Sequence, residues 1–125
     1  MRDEERIEQV DLRVRTKLFA LRVIRLFSAL PKRIEAEVIG KQVLRSGTSV
    51  GANFREAHRA RSNAEFVSKL GDCLKELEET CYWLELLGDA EIISSDRLAE
   101  LHDECNQLIA ILTTISKKVK ANRKG

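Results

Sequence analysis

Leu98-Ala99-Glu100-Leu101-His102-Asp103-Glu104-Cys105-Asn106-Gln107-Leu108-Ile109-Ala110-Ile111-Leu112-Thr113-Thr114-Ile115-Ser116-Lys117-Lys118-Val119 is the stretch whose periodicity decides the fold. Apolar side chains recur at Leu98, Leu101, Cys105, Leu108, Leu112, Ile115 and Val119, at alternating steps of three and four. At about 100° per residue these steps hold all of them on one stripe of a helix, the pattern by which a bundle helix buries a seam. Ser94-Ser95-Asp96 offers an N-cap cluster just ahead, so this helix is expected over about 96–119.

Working backwards, Phe66, Leu70, Cys73, Leu77, Thr80, Leu84 and Leu87 repeat the same spacing, with Glu65, Lys69, Asp72, Glu76 and Glu79 about 100° around the wheel. Ser62 and Glu65 stand at the spacing of a capping box, and Gly88-Asp89 supplies a stop, which predicts a helix over 63–87. A further helical run covers about 33–61. Pro31 is the only proline and cannot sit in a helix interior, so it separates that run from a first helix at about 11–30. Four helices in 125 residues make a single all-α domain, 1–125. The composition agrees: 43% apolar, 34% charged and 5% aromatic residues exclude a β-sandwich or barrel, and a net charge of +2 excludes a chain kept disordered by charge.

Cys73, Cys81 and Cys105 form no CxxC pair and fall in or beside the apolar seams, where small buried hydrophobes belong. No apolar leader follows the start of the chain, and the apolar region 18–30 is interrupted by Arg22 and Arg25, so neither secretion nor a membrane span is expected and the protein reads as cytoplasmic. Catalytic patterns are missing. A di-iron carboxylate bundle needs Glu-x-x-His, but Arg55 stands three residues before His58 and Ala99 three before His102. No metal, cofactor or enzymatic activity is therefore expected.

The first helix carries apolar residues on two opposed faces: Leu12, Phe19, Val23, Leu26 and Leu30 on one, Val10, Val14, Leu18 and Leu21 on the other, with Arg15 and Arg22 in a narrow polar stripe between them. The second face calls for a cover, either another subunit or a central place in a larger bundle. In the second helix, Gly47 shares the inward face with Gly40, Val43, Val50, Phe54 and Ala57, and Gly51 follows one turn on. Mid-helix glycines cost stability, so Gly47 and Gly51 point to close packing of a neighbouring helix, or else to a backbone opening that presents Ser46, Thr48, Ser49 or Asn53 to a ligand. Tyr82 and Trp83 cannot both join the third seam, so at least one projects outward, as a subunit contact or a docking anchor.

Charge is segregated. Residues 12–61 hold 12 basic and 3 acidic side chains, residues 62–104 hold 3 and 12, and residues 105–125 add five basic ones and no acid. Lys41, Arg45, Arg55 and Arg59 line up within about 80° on the outer side of the second helix. This stripe is a solvated face, or pairs with the acidic third helix, or contacts phosphates together with Lys117, Lys118 and Lys120 of a basic tail at 117–125.

Three segments carry a resemblance: Leu44-Arg45-Ser46-Gly47-Thr48-Ser49-Val50-Gly51-Ala52-Asn53-Phe54-Arg55-Glu56-Ala57, residues 66–70, and Glu78-Glu79-Thr80-Cys81-Tyr82-Trp83-Leu84-Glu85-Leu86-Leu87. With them the chain resembles the bacterial four-helix-bundle family that includes the 23S rRNA intervening-sequence proteins, departing at Ala57, where many members carry glycine. The resemblance implies an antiparallel up-down-up-down bundle that assembles as a ring-shaped homopentamer and associates with nucleic acid. A related protein, the accessory protein of diversity-generating retroelements, binds nucleic acid and a reverse transcriptase through a basic surface. The expectation is a non-enzymatic oligomer that engages structured RNA or DNA through the basic stripe and tail, with Val14, Leu18, Leu21, Tyr82 and Trp83 at subunit contacts. The alternative is a scaffold that recruits a partner protein through its aromatics and acidic helix.

Overall fold

A computed structural model describes residues 3–124, with side chains described over 11–122. Four helices follow in order: α1 (Asp3–Ala29), α2 (Ile34–His58), α3 (Asn63–Asp89) and α4 (Ser95–Lys124). The connections are too short for a crossover, so each helix returns antiparallel to the one before, giving an up-and-down bundle. α1 lies on α2, α2 on α3 and α3 on α4, while α1 and α4 meet only thinly.

Several helix ends depart from expectation. α1 begins at Asp3 rather than near residue 11, because no glycine or proline precedes Asp11 to stop it. α2 stops at His58 instead of Arg61, where Arg59 leaves helical geometry. The segment read as a tail from residue 117 is helical through Lys124, so its lysines belong to the last turns of α4; Gly125 lies outside the described residues. Ser62 caps α3 by accepting from the Glu65 backbone N–H at 3.1 Å, but the box is not reciprocal: the Glu65 carboxylate accepts from the Arg61 amide, not that of Ser62. The reversal after α3 is made by Glu91 in the left-handed region (φ 58°), and Gly88 stays helical.

The seams close into one core. Leu12, Phe19 and Val23 of α1, the α2 face from Gly40 to Ala57, the α3 seam and Leu98 to Ile115 of α4 are all buried. Cys73 and Cys105 lie in it, and their thiols donate to the carbonyls of Val50 and Leu77. Burial pushes the Cys73 thiol up to about 12, with Asp72 adding to the effect. The sign of the consequence is fixed, because above pH 9.0 the unfolded chain would release this proton and the folded chain would keep it. Stability should therefore be complete below pH 9.0 and fall at higher pH by about 1.4 kcal/mol per unit until about 12. Urea midpoints at pH 8 and pH 10 should show a larger loss in the native sequence than in Cys73→Ala.

Glycines show how α1 and α2 approach. A Cβ on Gly47 would stand 2.7 and 2.9 Å from the two methyls of Val23, one on Gly40 2.5 Å from Leu30 Cδ1, and one on Gly51 3.3 Å from Thr16 Oγ1. Each missing side chain makes room for α1, at Gly40 for Phe27 at 3.1 Å as well as for Leu30 just beyond the helix end. Gly71 of α3 is the internal control, exposed and with nothing within 4 Å of such a Cβ. Gly71→Ala should raise the unfolding free energy by about 0.5–1 kcal/mol, since it removes only the helix penalty of glycine. Thermal melts of that variant would check this.

Candidate functional site

The outer face of α1 remains uncovered by its own chain. Phe19 and Val23 are 1% and 0% exposed, whereas Val14 and Leu18, on the opposite side, are each 53% exposed, with Leu21 and Ile24 also in solvent. Val10, expected on this face, has a side chain outside the described set. Steps of four and three from Val14 to Leu18 to Leu21 make the patch continuous along the helix. Ile34 and Val38, one turn apart at the start of α2, extend the exposed apolar surface. Sequence reading missed Ile24, Ile34 and Val38, although the spacing of the last two is visible in the primary structure.

The basic stripe of α2 divides into two parts. Arg45 donates to Glu76 at 3.1 Å and Glu79 at 2.6 Å on α3, which raises its pKa further, the Glu79 hydrogen bond being the largest cause. Lys41 pairs with Glu37 within α2. Both therefore follow the intramolecular reading of the stripe. Arg55 and Arg59 make no ion pair among the described residues and are exposed. They sit near the C-terminal end of α2, and antiparallel order brings the end of α2, the start of α3 and the end of α4 to one pole. Exposed Lys117, Lys118 and Lys120 lie at that same pole. His58 is held below its ordinary value first by burial and then by the nearby charges of Arg13 and Arg59.

The hydroxyls between the glycines of α2 are occupied. Ser46, Thr48 and Ser49 donate to the carbonyls of Gln42, Leu44 and Arg45, and Thr80 donates to Ser46 at 2.8 Å across the α2–α3 contact. The helix is unbroken there, so the backbone opening considered from the sequence does not form and the glycines serve packing. The aromatic pair is resolved as well. Tyr82 projects outward at 55% exposure, while Trp83 packs against the core and its buried indole N–H has no hydrogen-bond partner among the described residues. With Gln42, Arg45, Lys75, Glu78 and Glu79, the two rings line a groove of about 490 Å³. His102 lies 3.3 Å from Glu85 on α3. Among the described residues no group of three or more His, Cys, Asp or Glu is placed to hold a metal ion, and no helix is long and apolar enough to cross a membrane.

The fold and these surfaces define a class: an up-and-down four-helix bundle with an uncovered apolar face on its first helix and a basic pole. The family model of the 23S rRNA-intervening sequence proteins matches residues 8–114, and the chain belongs to that family. A solved structure from Bacteroides thetaiotaomicron VPI-5482, of a protein of unknown function from the S23 ribosomal protein family, is 38% identical. It superposes with a TM-score of 0.82 over 87% of this chain and 97% of its own. No curated protein matches the chain.

Proposed function

We propose that this protein is a non-enzymatic, cytoplasmic oligomer, a ring-shaped homopentamer, that binds structured RNA or DNA through its basic pole. The observation that carries the reading is the outer face of α1, where Val14, Leu18, Leu21 and Ile24 remain in solvent on a helix whose other face is core. Water around that much contiguous apolar surface favours association of copies. Symmetric association repeats Arg55, Arg59, Lys117, Lys118 and Lys120 once per subunit, which turns a modest local charge into a field suited to a polyanion. The family's link to 23S rRNA favours RNA as the first ligand to test. Lys41 and Arg45 take a smaller part in this binding than their place in the stripe suggests, because each already has a carboxylate.

Fluorescence anisotropy with a structured RNA and a DNA duplex at two salt concentrations tests the proposal. Affinity should fall steeply with salt, and Arg55→Gln with Arg59→Gln should lower the slope of log K against log salt by about 2 per subunit engaged. No binding at micromolar protein in low salt would overturn it.

A second reading rests on the groove beside Tyr82 and Trp83, which has the aromatic and charged lining of a protein-docking surface. It makes the bundle a scaffold recruiting a partner protein through α3. Pull-down with a Tyr82→Ala control distinguishes it, since that substitution would remove the partner and leave nucleic-acid affinity unchanged.

A further inference from the structure

The seam between α1 and α4 is closed at one level and open one heptad further along. At the closed level, Arg15 of α1 donates to Glu104 of α4 through two nitrogens, at 3.0 and 2.6 Å, and to Gln107 at 3.1 Å. Seven residues on along α1 stands Arg22; seven residues back along antiparallel α4 stands Arg97. The register that matches cation with carboxylate at the first level therefore sets cation against cation at the second. There the helices part into a groove of about 290 Å³, lined by Arg22, Arg25 and Ala29 of α1 and Arg97 and Glu100 of α4, over a floor of Leu26, Leu98 and Leu101.

Charge in this groove is uncompensated. Three guanidinium groups share it with one carboxylate, and none of the three makes an ion pair among the described residues, in contrast to Arg15 and Arg45. Leu98 and Leu101 are buried beneath them, so the floor is apolar and screens charge less than open water does. Like charges gathered over such a floor repel, and a bound anion would relieve the repulsion. Guanidinium forks on two facing walls suit the several oxygens of a phosphate group, pairs of which accept the two parallel N–H groups of one guanidinium. Arg97, in the first turn of α4, also adds its charge to the positive end of that helix.

We infer that the α1–α4 groove is a phosphate-binding site, with Arg22, Arg25 and Arg97 as its ligands. It is separate from the basic pole, since the last turns of α1 and the first turns of α4 lie at the other end of the bundle. The phosphate belongs either to a nucleic-acid backbone or to a small phosphate compound, and the recognition chemistry is the same for both.

The test follows the arginine Nε–H resonances of the full chain by NMR, with pyrophosphate in one arm and a short RNA duplex in the other, and sodium chloride at matched ionic strength as control. The Arg22, Arg25 and Arg97 signals should move with at least one phosphate ligand and not with chloride. A response to pyrophosphate alone assigns a small phosphate compound, and a response to RNA alone or to both assigns or includes the backbone. The triple variant Arg22→Gln, Arg25→Gln, Arg97→Gln should weaken the responding ligand tenfold or more, with the three Arg→Lys changes recovering part of the loss. Thermal melts confirm that both variants are folded. Resonances unmoved by either ligand, or a folded Gln variant that binds as tightly as the native sequence, would overturn the site. If RNA still binds at the basic pole in that event, the proposed function stands without the groove.

Discussion

Gly47→Leu is expected to lower the unfolding free energy by about 3 kcal/mol, which is about 10 °C in melting temperature for a domain of this size. Leucine is a far better helix former than glycine, so α2 on its own would gain about 0.8 kcal/mol from the change. The loss comes from packing against α1. The first carbon added at position 47 already falls 2.7 Å from Val23 Cγ2, 2.9 Å from Cγ1 and 3.2 Å from Cβ. Val23 is fully buried and β-branched, with little rotamer freedom in a helix, so it cannot swing aside as the end of a long side chain would. α1 itself must move, and Gly40 and Gly51, each against an α1 residue, mark the same contact along its length. Urea denaturation beside Gly71→Ala checks this directly: two mid-helix glycines, opposite signs of effect.

Leu18→Glu with Leu21→Glu should leave the single bundle folded and take the proposed assembly apart. Both side chains face solvent in the isolated chain, at 53% and 37% exposure, so a carboxylate at either site stays hydrated in the monomer. In a subunit contact the same two carboxylates would be desolvated without a partner, a cost of several kcal/mol, so association should weaken by about a thousandfold or more. Circular dichroism should show unchanged helix content while sedimentation shows the mass of one chain. A variant that keeps the native assembly would place the subunit contact elsewhere.

The seams of α2, α3 and α4 were legible up to Val119, which is only half-buried, because a 3.6-residue period records which side of a helix is inward whatever lies opposite. The double face of α1 was legible for the same reason, and Leu12, Phe19 and Val23 went inward while Val14, Leu18 and Leu21 stayed out. Features that depend on register between helices were not. The wheel shows Arg45 and Glu79 on outward sides of two helices, but only the way α2 slides along α3 decides that they meet at 2.6 Å while Arg55 and Arg59 pair with no acid among the described residues. The same holds for Arg22 opposite Arg97, whose helices are distant in sequence and adjacent in space. Tyr82 and Trp83 differ by one residue and 100°, and the packing of their neighbours settled which of them is covered. Helix ends were the poorest estimates: the lysines at 117–120 read as a tail by composition, yet nothing there breaks the helix and α4 continues through them.

The outer face of α1 is proposed to gather copies of the chain and, through them, the basic residues of each pole. Gel filtration coupled to light scattering at micromolar concentration reads that association as a mass. A single species is expected with a mass that is a multiple of 14.2 kDa, fivefold for the proposed ring; a species of 14.2 kDa would rule that association out.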